Sequence, residues 1–164
     1  FTQRHPQTLP NALYVLWAGA NDYLQGTSSA TVPVENVTRA IASIGNIGAK
    51  KILVANLPDL GQLPATRNSV NSARLSALTS AHNQSLRRSL KLLSQQYPAL
   101  QIVTLDANAL YSEAITLPAA FGFTNVQNAC LSSNRACGNP DGVFVLGRHS
   151  SHDCGSPHFR RTRL

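Results

Sequence analysis

Residues 12–22 read ALYVLWAGAND. The run ALYVLWA, β-branched and aromatic residues among it, reaches Gly19 without a polar break. A short apolar run closed by glycine predicts a buried strand. The same signature returns at residues 50–57, KKILVANL, halted by Pro58, and at 101–106, QIVTLD. Helical patterns separate these runs. PVENVTRAIASIGNIG, 33–48, begins on proline and places Val34, Val37, Ile41, Ile44 and Ile47 at helical spacing. Asn71 is a candidate cap for a long helix running to about Tyr97, with Leu75, Leu78, Leu86, Leu90 and Leu93 on one face and Pro98 beyond its end. Residues 107–117 predict a short further helix. The order β-α-β-α-β-α, with strands that do not alternate apolar and polar, predicts an α/β protein. Its parallel sheet should be covered by helices on both faces. Crossovers should be right-handed, and functional groups should collect at the carboxyl ends of the strands. Three strands make a thin sheet for this architecture, so further N-terminal strands are expected.

Length and composition fit that reading. The chain has 164 residues, 43% of them hydrophobic and 13% charged. That is enough to bury one domain core and too apolar for disorder. No apolar run is long enough to cross a bilayer. The sequence opens FTQRHPQTLP, which is polar and lacks Met. The reading is therefore a chain whose beginning lies further upstream, and the lack of a signal peptide says nothing about export. Of the formal charge of +7, a large share sits in residues 145–164, where four Arg (Arg148, Arg160, Arg161, Arg163) meet one Asp (Asp153). Neither an aromatic nor a Gly-rich RNA motif accompanies them, so a solvated basic surface is preferred to nucleic-acid binding. Cys130 and Cys137 flank LSSNRA. A small disulfide-closed loop would favour a secreted or periplasmic protein; two free thiols are the alternative. Cys154 lies in the tail.

The chemistry-bearing stretch follows the first strand. Gly19 permits a tight turn or close backbone approach. Asn21, just past the strand's carboxyl end, offers two uncharged N–H donors. Held rigidly, such a donor stabilises the oxyanion of an acyl-transfer intermediate. On these residues alone an ordinary turn is the favoured reading, since Gly-x-Asn-Asp is rich in turn formers.

The stretch ALYVLWAGANDYL resembles the third block of the SGNH, or GDSL, hydrolase family. The resemblance continues through KKILVANLPDLGQLP, the Asn-containing helix segment AHNQSL, and FGFTNVQNAC followed by CGNPDG. It covers roughly residues 10–144. It implies a three-layer α/β/α fold with a flavodoxin-like sheet, incomplete here at the N-terminus. It also implies ester hydrolysis by a Ser-His-Asp arrangement, with no metal or organic cofactor, on a small-molecule or lipid ester. Carried over, Asn21 is the oxyanion-hole side chain, Gly19 the motif glycine, and Asp22 the motif aspartate that holds the loop.

Two family blocks do not appear. No Gly-Asp-Ser occurs in the sequence, and the block supplying a backbone glycine donor would also lie upstream. The closing Asp-x-x-His block should follow Asn139-Pro140-Asp141, yet the chain reads GVFVLGRHSSHDCGSPHFRRTRL. Reverse translation from Val145, shifted by one base, allows Phe-Trp-Asp-Gly-Ile-His-Pro-Thr-Thr-Ala-Gly-His-Arg-Ile. The block's His would come from the codons of Ser150 and Ser151, and its Asp from those of Gly147 and Arg148. Residues 1–144 are therefore read as a partial hydrolase domain and 145–164 as an out-of-frame tail. That shift accounts for His149, His152, Cys154 and His158 without a zinc site. Ser151-His152-Asp153 is rejected as a triad, because consecutive residues seldom meet in the required geometry. His5 and His82 are read as surface and helix residues. The expected function is carboxylic ester hydrolysis, with the chain as written inactive. The alternatives are a non-catalytic α/β module binding lipid or carbohydrate, and a nucleic-acid binder using the basic tail.

Overall fold

The computed structural model describes residues 11–132, 135–136 and 143–147, with side chains over 11–126. Strands β1 (Leu13–Leu16), β2 (Lys51–Ala55) and β3 (Gln101–Leu105) form a sheet in the order β1-β2-β3. Both pairings are parallel, with Tyr14 opposite Ile52 and Ile52 opposite Ile102. Helix α1 (Ala20–Leu24) and helix α2 (Thr31–Asn46) connect β1 to β2, α3 (Ser72–Gln96) connects β2 to β3, and α4 (Ala107–Thr116) follows β3. A 3-10 turn (Pro118–Phe121) leads into a second sheet of described backbone, β4 (Asn125–Ser132), β5 (Arg135–Ala136) and β6 (Val143–Gly147), in the order β5-β4-β6. The apolar pattern did not announce this second sheet. The α/β class with a parallel sheet is as the sequence implies.

Successive strand residues point to opposite faces. On one face Tyr14, Leu16, Ile52, Val54 and Ile102 pack against Val37 and Ile41 of α2 and Leu86, Leu90 and Leu93 of α3. Ile41 and Ile52 are fully buried, and each such side chain contributes about 1.5–3 kcal/mol. On the other face Leu13 is 57%, Val15 63% and Trp17 62% exposed, and Val103 and Leu105 are also exposed.

The start of α2 differs from the expected one for a local reason. Helix α2 begins at Thr31, two residues before Pro33. The Ser29 hydroxyl accepts a hydrogen bond from the Thr31 N–H at 3.2 Å, and Pro33 lies in the first turn, where no N–H is required. Asn71 does stand at the N-cap of α3, but its side chain makes no capping bond; its backbone carbonyl accepts from Leu75 N–H at 2.9 Å.

Candidate functional site

The carboxyl ends of β2 and β3 are each finished by a polar residue held from elsewhere. After β2, Asn56 donates through Nδ2 to Asp106 Oδ1 at 2.8 Å and accepts from the Asn108 N–H at 2.9 Å. It thus ties the end of β2 to the start of α4. Asp106 caps α4 by accepting from Ala109 N–H at 3.0 Å. The Ala109 N–H, then Asn56, hold its carboxyl below the usual carboxylate range. The loop after β2 is held by α3. Asn83 Oδ1 accepts from Leu57 N–H at 2.9 Å, while its Nδ2 donates to Leu57 C=O at 2.8 Å. Thr79 Oγ1 accepts from Leu60 N–H at 3.2 Å. Two adjoining clefts of about 280 and 300 Å³ lie here and share Asn56, Asn83, Arg87 and Asp106. Asn21 lines neither of them.

After β1 the chain turns directly into α1. Gly19 is its N-cap, with φ 108° and ψ −21°, a conformation costly for any residue with a Cβ. A Cβ at Gly19 would also stand 2.8 Å from His82 Cε1. The motif glycine is thus required twice, by its torsion and by the ring packed against it. Asn21 occupies the first turn of α1 and is exposed, so the Gly-x-Asn-Asp stretch is a helix start. Asp22 lies in the same first turn, where the positive end of the helix dipole favours a carboxylate.

Tyr23 carries α1 into the interior. It is 1% exposed and packs with Leu57, Leu60 and Leu75. Its hydroxyl lies 2.8 Å from His82 Nδ1, and the two rings meet edge to face at 5.6 Å and 88°. Burial, then the charge of Asp22, pushes the Tyr23 hydroxyl up to about 12. Burial lowers the pKa of His82, with Asp22 opposing. Both groups are therefore neutral near pH 7, and a single hydrogen bond joins them. His82 Nε2 is buried without a partner among the described residues. Beyond the end of α1, Arg74 of α3 donates to the carbonyls of Gly26 and Thr27 at 3.2 and 3.3 Å.

His82 lies on the expected helix, and the structure adds that it is 0% exposed there. The signal was present. Residue 82 is four before Leu86 and seven after Leu75, on the apolar stripe of α3. His5, Cys137, the tail histidines His149, His152 and His158, Cys154, the Ser151-His152-Asp153 run and the Arg tail fall outside the described residues, as does any side-chain statement for Cys130. Among the described residues no group of three His, Cys, Asp or Glu side chains could hold a metal ion, and no helix is long and apolar enough to cross a membrane.

The sequence model of the family described as GDSL-like Lipase/Acylhydrolase matches residues 3–152. A phosphatidylcholine-sterol acyltransferase of Aeromonas hydrophila is 35% identical over 125 residues, 74% of this chain and 36% of that protein. A GDSL lipase of Tanacetum cinerariifolium is 28% identical, covering 82% of this chain and 40% of its own length. Esterase EstA of Pseudomonas aeruginosa is 31% identical, covering 80% of this chain and 21% of its own. The chain therefore spans between about a fifth and two-fifths of these relatives, which it matches over most of its own length.

Proposed function

We propose that this chain, which belongs to the GDSL-like lipase/acylhydrolase family, is the portion of a carboxylic ester hydrolase that supplies the oxyanion-hole side chain, Asn21. One observation carries the reading. An exposed, uncharged amide stands in the first turn of α1, immediately past the carboxyl end of β1, on a turn that only glycine at position 19 permits.

The chemistry follows from that placement. When a serine oxygen attacks an ester carbonyl, the carbonyl oxygen gains a full negative charge in the tetrahedral intermediate. An N–H donor fixed in advance at that position stabilises the charge without reorganising during the reaction. An amide supplies this donor without adding a charge to the site. Asp22 and Tyr23 serve this donor indirectly, by holding the turn. The nucleophile and the base are not Asn21's partners within the described residues. The sequence lacks a Gly-Asp-Ser, and its frame shifted by one base over 145–158 allows the family's Asp-x-x-His block. The shifted block supports a serine–histidine mechanism in which His takes the serine proton and passes it to the leaving alcohol. The substrate is a small-molecule or lipid ester, in keeping with the lipase and esterase names of the relatives.

The chain of 164 residues alone is expected to leave p-nitrophenyl esters essentially unhydrolysed, since a donor without a nucleophile has no intermediate to bind. A protein carrying the upstream serine block and residues 145 onward in the shifted frame should hydrolyse them. Asn21→Ala in that protein should lower kcat roughly 10²–10³-fold. A repaired protein inert to every ester, or full activity retained after Asn21→Ala, would remove the basis for the proposal.

A further inference from the structure

Helix α1 is five residues long and lacks a side-chain cap. A helix so short cannot hold itself in water, so its position must come from contacts outside it. Those contacts come largely from α3. Arg74 grips the carbonyls just beyond α1, and His82, two turns further along the same face of α3, meets Tyr23. Leu75 and the partly buried Leu78 fill the space between. We propose that Tyr23 and His82 are positioning residues: their buried hydrogen bond beneath the Gly19 turn sets the direction in which Asn21 projects. The proposal rests on the reading of Asn21 as the oxyanion donor.

The geometry gives the reason. Each helical residue turns about 100° from the last, so residues two apart project to nearly opposite sides. Tyr23 fixed inward therefore fixes Asn21 outward. Apolar packing of a phenyl ring would tolerate sliding and rotation. A hydrogen bond of 2.8 Å between the Tyr23 hydroxyl and His82 Nδ1, with rings at 88°, does not. The His82 ring also lies where a Gly19 Cβ would be, so the strand-to-helix turn rests directly on it. The pair is not what stability alone would select. It leaves Nε2 buried and without a partner among the described residues, and replacing both members of a buried hydrogen bond by apolar groups of similar shape is often nearly neutral. What the apolar pair lacks is a defined orientation.

The test uses the full ¹⁵N-labelled chain and no substrate. The amide of Gln25 donates to the Asn21 carbonyl at 2.9 Å, that of Thr27 to Asp22 at 2.9 Å, and that of Gly26 to Tyr23 at 3.1 Å. Their hydrogen exchange, with the backbone order parameters of residues 19–22, reports whether the turn is fixed. In Tyr23→Phe these amides should exchange roughly fivefold to tenfold faster, the equivalent of one net hydrogen bond, while amides of β2 and the middle of α3 stay as they were. His82→Asn keeps a polar atom at the δ position and should restore much of the protection that His82→Leu loses. The decisive variant is Tyr23→Phe with His82→Leu. Its urea midpoint should stay close to that of the parent chain while the Asn21 turn loses order. Unchanged exchange and order in both Tyr23→Phe and the double variant would overturn the proposal. So would loosening that merely tracks global stability, as judged against Leu86→Ala in the core. Since no ester is used, failure here leaves the hydrolase reading standing. An inert repaired enzyme would leave the coupling measured here in place but without its catalytic purpose.

Discussion

Gly19→Ala concentrates the physics of this site in one methyl group. Two costs add. The first is torsional: at φ 108° and ψ −21° an alanine sits in a region that costs non-glycine residues about 1–3 kcal/mol. The second is steric. The new Cβ would lie 2.8 Å from His82 Cε1 and 3.5 Å from both ring nitrogens. The ring is fully buried and hydrogen-bonded to Tyr23, so it cannot swing aside without breaking that bond. Forcing a methyl into such a packed site costs about 1–3 kcal/mol. The loss of glycine's freedom in the unfolded chain returns about 0.4–1 kcal/mol. The net destabilisation is about 1–5.5 kcal/mol, which in a chain of this size lowers Tm by roughly 2–20 °C. Urea unfolding followed by far-ultraviolet circular dichroism, with an unchanged m-value, measures it directly. The steric part is separable. His82→Asn removes the ring atoms that the methyl meets, so Gly19→Ala should cost about 1–3 kcal/mol less in that background, while the torsional part persists. Two results would refute the reasoning: a Gly19→Ala change within about 0.5 kcal/mol of the parent, or costs for the two substitutions that simply add.

Three further outcomes are expected. His82 is held neutral by burial, its pKa lowered from 6.5 despite the opposing charge of Asp22; the unfolded chain therefore takes up the proton first, and stability should be full above about pH 6.5 and decline as pH falls toward the folded value. Urea midpoints at pH 8 and pH 5.5, compared between the parent and His82→Asn, isolate that slope, and equal slopes would contradict the burial argument. Asp106→Ala removes the cap of α4 and the bond from Asn56, and should cost about 0.5–2 kcal/mol at pH 7. The folded pKa of Asp106 is depressed below 3.8, so the difference from the parent should shrink as pH falls from about 4 through that lowered value, measured again as the urea midpoint. Trp17 is the chain's single tryptophan and is 62% exposed on the uncovered sheet face; its emission should be red-shifted and readily quenched by acrylamide, and a blue, shielded emission would show that face to be covered in solution.

The elements of the main sheet were legible because their causes are local and periodic. ALYVLWA, KKILVANL and QIVTLD are short apolar runs bounded by Gly19, Pro58 and the polar start of α4, which marks them as strands, although only β2 is largely buried as that pattern implies. The stripes of α2 and α3 follow from 3.6-residue spacing. The second sheet escaped because β4, NVQNACLS, mixes polar and apolar residues in a pattern that matches neither period. The cap of α3 shows the same limit on a small scale. Asn71 has the chemistry of a capping residue and stands at the cap position, but its conformation leaves the side chain unbonded, and torsion angles are not written in residue type.

By itself, the sequence determined the class of fold, the parallel order expected of its strands, and the place of Gly19 and Asn21 at the end of β1. Each of these depends on a few neighbouring residues. Only the tertiary structure decided that Tyr23 and His82, 59 positions apart, meet under that turn, and that Gly19 faces an imidazole. It also decided that Asn83 and Thr79 hold the loop after β2, and that among the described residues Leu13, Val15 and Trp17 are exposed on one face of the sheet. The physical reason is the length scale of the interactions. Hydrophobic periodicity is read along a single element, whereas a buried hydrogen bond is made by two elements whose relative position is set by the packing of all the others.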